Sequence, residues 1–276
     1  MPYCQCEEIS LYYEVEGAGP PLLLIAGLGG GTWSWYGQAP YFSARYRTIT
    51  FDNRGAGRSD IPRGPYRMQQ LAEDTVCLLD HLGVERAFVL GLSMGGMIAQ
   101  ELALLAPHRI LALFLGCTHG GGPSRVHSAP AVIETLLNNA GLNRQEVIEK
   151  NLPLFLSEAC RTENPDLVAA YRAAQLAAPE QPEYAFHAQL AAISTFAAGD
   201  RLKLIKAPTM IVAGSEDVLI PPENAQVLAR KIPNAEVVVI PGAGHALHVE
   251  CPDRLNALAD DFFRRHALRA TNLTVA

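Results

Sequence analysis

Gly91-Leu92-Ser93-Met94-Gly95 decides the fold of this chain. A serine flanked two residues away by nothing but glycine reads as a nucleophile elbow if a buried strand precedes it and a helix follows. Both conditions are met. Residues 87–90, Ala-Phe-Val-Leu, form a short apolar run of strand length, and residues 97–104 carry the spacing of an amphipathic helix. The turn between them is so tight that the serine backbone must be strained, and only glycines at the flanking positions let strand and helix close around it.

The same alternation extends outward from the elbow. Residues 9–15 alternate like an edge strand, Pro20-Pro21 turns the chain, and residues 22–26 and 48–51 follow as buried strands with a helical stretch at 38–46 between them. Apolar residues Leu71, Val76, Leu78, Leu79 and Leu82 mark a helix over 68–82 that stops at Gly83. Further short apolar strands are expected at 111–115, 209–213 and 237–240, as in a mostly parallel sheet covered by helices on both faces. Residues 122–200 break the pattern: they offer helical segments at 131–139, 165–178 and 182–197 but no convincing strand. The expected organisation is therefore an α/β core made of residues 1–121 and 201–276, with residues 122–200 inserted as a helical cap. The tail after His266 is expected to fray.

Composition limits the function classes. The chain has 276 residues, 49% hydrophobic and 18% charged, with 23 glycines, which suits a globular α/β protein and neither a disordered nor a fibrous one. A net charge of -6 without a clustered basic face argues against nucleic acid as a partner. No apolar stretch approaches the roughly 18 residues of a membrane helix, so no membrane partner is expected. Glu7 and Glu8 stand where a secretory signal would be basic, which makes the cytoplasm the expected location. Cys4, Cys6, Cys77, Cys117, Cys160 and Cys251 are scattered, a distribution expected of reduced, mostly buried thiols rather than a disulfide frame. Cys4 and Cys6 resemble half of a metal site, but no second Cys/His pair at finger spacing completes it, and no metal is expected.

A serine hydroxyl needs an imidazole to take its proton and a carboxylate to orient that imidazole. Gly214-Ser215-Glu216-Asp217 follows the strand at 209–213, and Gly242-Ala243-Gly244-His245 follows the strand at 237–240. Open α/β sheets gather their ligands at the carboxyl ends of the strands, where Ser93, Asp217 and His245 would converge. Glu216 is the alternative acid, though its place in the loop reads as an exposed neighbour. His248 lacks the Glu and the spacing of a zinc helix and reads as a packing residue. Asp52, Arg54, Gly55 and Gly57 match no phosphate-binding pattern and read as a structural turn.

With these residues in order, the chain resembles the α/β-hydrolases that carry a helical cap, over essentially its whole length. The resemblance rests on Ala26-Gly27-Leu28-Gly29, on residues 51–59, on the elbow, and on the Asp217 and His245 loops. Within that superfamily it is most similar to bacterial enol-lactonases, esterases and carbon–carbon bond hydrolases. The resemblance implies an oxyanion hole made by the backbone N–H groups of Met94 and Leu28. Many relatives have a His before the first glycine of the Leu28 loop, where this chain has Ala26. It also implies a cofactor-independent serine hydrolase that cleaves a small ester or lactone through an acyl-enzyme on Ser93. A carbon–carbon hydrolase or acyltransferase would use the same triad, and a ligand receptor on this fold is a third class. Trp33, Trp35 and His119 are the candidate substrate contacts. A homodimer contact could use either the cap or a sheet edge, and nothing in the sequence singles one out.

Overall fold

The chain folds around one eight-stranded sheet that places the three predicted functional residues at a common rim. A computed structural model describes residues 2–272, with side chains through residue 267. The strands are β1 (Tyr3–Cys6), β2 (Ile9–Glu16), β3 (Pro21–Ile25), β4 (Arg47–Phe51), β5 (Ala87–Leu92), β6 (Ile110–Gly116), β7 (Thr209–Gly214) and β8 (Ala235–Ile240). Their spatial order is β1-β2-β4-β3-β5-β6-β7-β8; β1 and β2 run antiparallel and the rest of the sheet is parallel. β5 and β7 are buried along their whole length, so both faces must be apolar, and their sequences Ala-Phe-Val-Leu-Gly-Leu and Thr-Met-Ile-Val-Ala-Gly comply.

Helices cover both faces. In chain order they are α1 (Ala39–Ser43), α2 (Met68–His81), α3 (Met94–Leu105), α4 (Pro130–Leu137), α5 (Arg144–Phe155), α6 (Glu158–Glu163), α7 (Pro165–Ala177), α8 (Glu183–Thr195), α9 (Glu223–Ala229), α10 (Leu247–Glu250) and α11 (Pro252–Asn272). One core cluster packs α2 and α3 on the sheet through Leu71, Leu78, Ile98 and Leu102. A second packs α11 on the opposite face, where Phe88, Phe114 and Phe263 meet with ring centroids 5.0 to 6.3 Å apart. No described helix is long and apolar enough to cross a membrane.

Helices α4 to α8 lie between β6 and β7, where the sequence departs from strand–helix alternation. Gly121 and Ala197 form an isolated antiparallel bridge, so the two ends of the inserted stretch leave the sheet side by side. A third cluster, Leu152, Leu156, Cys160, Val168 and Tyr171 with Ala246 and Val249, packs α5, α6 and α7 onto the loop that carries His245.

Two expectations are corrected. Cys6 and Cys77 form a disulfide with their Cα atoms 5.8 Å apart, because α2 packs directly across β1 and brings together residues 71 positions apart. The tail does not fray at His266: α11 continues to Asn272, held by buried Phe262 and Phe263 and by Ala267 against the core. Residues 273–276 of that tail lie outside the described residues.

Candidate active site

Ser93 is the first residue after β5 and has φ +56° and ψ -121°, the strained conformation required of an elbow. A Cβ on Gly95 would overlap the carbonyl oxygens of Ile25 and Ala26, and one on Gly91 would overlap the Gly95 carbonyl. The serine main chain is pinned from both sides: its N–H donates to Gly116 O at 2.8 Å, and Thr118 Oγ1 donates to its carbonyl at 2.8 Å.

Asp217 and His245 meet as the chain order requires. His245 Nδ1 lies 2.8 Å from Asp217 Oδ2, and both side chains are buried. Asp217 Oδ1 accepts from the N–H groups of Leu219, at 3.0 Å, and Ile220, at 2.8 Å, which leaves Oδ2 facing the imidazole. A carboxylate can only accept, so Nδ1 carries the hydrogen, and in the neutral imidazole Nε2 then holds the lone pair. Glu216 is exposed and makes no such contact. Ser93 Oγ and His245 Nε2 form no hydrogen bond in this arrangement, a spacing that substrate commonly tightens.

The Leu28 loop crosses over the elbow. A Cβ built on Gly27 would stand 3.2 Å from Ser93 Cβ and 3.7 Å from its Oγ. Met94 opens α3, and among the described residues neither its N–H nor that of Leu28 donates to another protein group. This loop is tied by neighbouring side chains. Asn53 Nδ2 donates to Ala26 O at 3.1 Å, and Asp52 Oδ1 accepts from Thr32 N at 2.7 Å. Asp52 Oδ2 also accepts from Arg58 N at 2.8 Å, while Arg54 grips Asp74 through two bonds of 2.6 Å, so the turn over 51–59 is structural. Gln189, buried on α8, adds a bond from the inserted helices: its Oε1 accepts from Gly29 N at 2.9 Å and its Nε2 donates to Arg54 O at 2.8 Å.

The candidate substrate contacts turn out to be largely enclosed. Trp35 is buried against His248 with ring centroids 5.8 Å apart, and Trp33 is half-buried against Gly31 and Gly57. His119 stacks on Phe196 and accepts from Gly121 N through Nδ1; burial, helped by the charge of Arg125, lowers its pKa to about 3, so it is neutral. His248 is likewise neutral, lowered to about 4 by burial and by His245.

Two contributors were missed in the sequence reading. Cys117, at φ +45° just after β6, brings its sulfur within 4.8 Å of the facing Asp217 and His245 atoms; burial and the Asp217 carboxylate push its thiol well up, so it stays protonated. Its place at the carboxyl end of a strand was the available clue. Glu250 on α10 is the second. Its Oε1 accepts from Gly244 N and Ser157 N, both at 3.0 Å, and its Oε2 accepts from Ser157 Oγ at 2.7 Å. Ala246 N also donates to Phe155 O at 2.8 Å, and the Phe155 ring stands edge-on to His245 at 5.8 Å. The His245 loop is thus tied on both sides to the α5–α6 junction.

Comparison with known proteins places this geometry in a family. Residues 20–252 match the family described as the alpha/beta hydrolase fold. Over 94% of its length the chain is 32% identical to a protein provisionally named carbamate hydrolase RutD from Azorhizobium caulinodans, of which it covers 96%. It is 28% identical to 3-oxoadipate enol-lactonase 2 of Acinetobacter baylyi, over 94% of this chain and 95% of the relative. Among solved structures, a thermophilic esterase from Thermogutta terrifontis superposes with a TM-score of 0.81 at 28% identity, covering 95% of this chain and 97% of the other. From the family match and the shared sheet architecture, this chain belongs to the α/β hydrolase fold family and is a hydrolase.

Proposed function

We propose that the protein is a cofactor-independent serine hydrolase that cleaves a small carboxylic ester or lactone through an acyl-enzyme on Ser93. The observation that carries the proposal is the buried His245–Asp217 pair, 2.8 Å apart, at the same sheet rim as a serine held at φ +56°. In the first half-reaction Ser93 Oγ attacks the carbonyl carbon and His245 Nε2 takes its proton. The negative carbonyl oxygen is received by the Leu28 and Met94 N–H groups, each such donor lowering the barrier by about 2.7 to 4 kcal/mol. His245 then protonates the leaving alcohol, and in the second half-reaction it activates water against the acyl-enzyme. A lactone is the same carbonyl with its leaving alcohol still tethered. The enol-lactonase and esterase among the similar proteins support this substrate class.

The companion expectation of a cytoplasmic location has the Cys6–Cys77 bond against it, since such bonds are uncommon where thiols are kept reduced.

The test is a screen of aryl esters, lactones and enol lactones with wild type and Ser93→Ala. Wild type should hydrolyse a member of these classes and take a fluorophosphonate label at Ser93, and the variant should lose both. Activity of Ser93→Ala at the wild-type level would refute the mechanism. Turnover confined to a vinylogous diketone, or to acyl transfer from a thioester, would move the assignment to the other reactions of the same triad.

A further inference from the structure

Three sulfur atoms converge at the edge of the sheet farthest from Ser93. Cys4 and Cys6 are two residues apart on β1, so their side chains leave the same face of the strand, and α2 presents Cys77 to that face. Cys4 Sγ stands 3.3 Å from Cys6 Sγ and 3.8 Å from Cys77 Sγ, and all three sulfurs lie within 4.8 Å of one another. Cys4 and Cys6 are buried while Cys77 is half-buried, which gives the cluster a dry interior and one side open to solvent.

The Cys6–Cys77 bond uses two of these sulfurs and leaves the third against both of them. A cross-link between β1 and α2 needs only two. Three thiols aimed at one point, with no fourth His, Cys, Asp or Glu in the group among the described residues, form a donor set for a soft, three-coordinate cation. Metal–sulfur bonds of about 2.3 Å place ligating sulfurs roughly 3.8 to 4.0 Å apart. The Cys4–Cys77 separation of 3.8 Å already fits, and the other two pairs open by side-chain rotation once the disulfide is reduced.

We propose that reduction of the Cys6–Cys77 bond opens a Cu(I) site in which the sulfurs of Cys4, Cys6 and Cys77 bind one cation. A dithiol reductant supplies two electrons and two protons to the S–S bond, giving two thiols and its own cyclic disulfide. Cu(I) then forms three bonds to sulfur, and the three thiol protons leave to solvent. The site is separate from the hydrolytic one: β2, β4 and β3 stand between β1 and β5, which sets the two edges roughly 19 Å apart at the usual strand spacing.

The experiment uses the full chain, reduced with dithiothreitol, desalted without oxygen, and titrated with Cu(I) delivered as its acetonitrile complex against bicinchoninate. Thiol counting before and after reduction should show two new thiols. The reduced protein should then withdraw one Cu(I) per chain, and X-ray absorption should show three sulfur neighbours. Cys4→Ala keeps the disulfide partners and the fold; after reduction it should bind at least 100-fold more weakly. Cys160→Ala, outside the cluster, should bind as wild type does. The proposal is overturned if reduced wild type leaves Cu(I) with bicinchoninate, if Cys4→Ala matches wild type, if the unreduced protein binds as tightly as the reduced one, or if dithiothreitol yields no new thiols and no copper is held.

Discussion

Replacing Glu250 tests whether the α5–α6 junction holds the His245 loop in place. Glu250→Ala removes the acceptor for Gly244 N–H, Ser157 N–H and Ser157 Oγ. The hydroxyl can turn to another partner, but the two N–H groups cannot. An orphaned buried donor costs about 1 to 3 kcal/mol, and because the site is only half-buried, water relieves part of it, leaving about 3 kcal/mol for the two. A chain of 276 residues unfolds with an entropy of about 0.6 kcal/mol/K, so the midpoint of thermal unfolding should fall by about 5 °C. Glu250→Gln keeps an oxygen for both N–H groups and gains an NH2 that donates to Ser157 Oγ, so it should melt close to wild type. The pH dependence separates the two further. Burial raises the Glu250 pKa in the folded state, so its contribution to stability is fully present below the unfolded pKa and is lost as pH rises through the folded one. Glutamine does not titrate. Glu250→Gln should therefore gain on wild type as pH rises across the upper carboxylate range. Calorimetric scans at several pH values, with kcat/KM on the best ester found, form the assay; Glu250→Ala should lose about tenfold in kcat/KM through misplacement of His245. Equal melting of Glu250→Ala and wild type, or equal damage from Ala and Gln, would refute the reasoning.

Two other outcomes are expected. Asp217→Asn should keep the fold but lower kcat by about 10⁴-fold, because an amide can donate to Nδ1 and stabilise the wrong imidazole tautomer; steady-state kinetics beside a circular dichroism spectrum checks both halves. Asp74→Asn should cost about 3 kcal/mol, read by denaturant unfolding, since it leaves the buried Arg54 guanidinium without its counter-charge.

What the sequence made legible follows from range of interaction. The elbow could be read because glycine, serine and glycine are forced by one tight turn, β3 to β7 because strands buried on both faces must be apolar, and β8, an edge strand that is mostly half-buried or exposed, by its run of valines. β1 was missed: its four residues alternate exposed and buried and include only cysteines on the inner face. α5 was missed because its exposed surface is polar and Pro153 interrupts its pattern. Ser93, Asp217 and His245 were legible as strand-end residues in a fixed order. Glu250 and Gln189 were not, because Ser157 lies 93 positions from the one and Gly29 lies 160 positions from the other, and no local period encodes such pairs. Cys6 and Cys77 were read as independent thiols for the same reason.

Gln189 bears on how this enzyme could be altered. One amide side chain, sent from α8 into the core, satisfies both the Gly29 N–H and the Arg54 carbonyl beside the Leu28 loop. Grafting a foreign set of helices between β6 and β7 to change selectivity would strip that support unless the graft supplied a glutamine at the same spot.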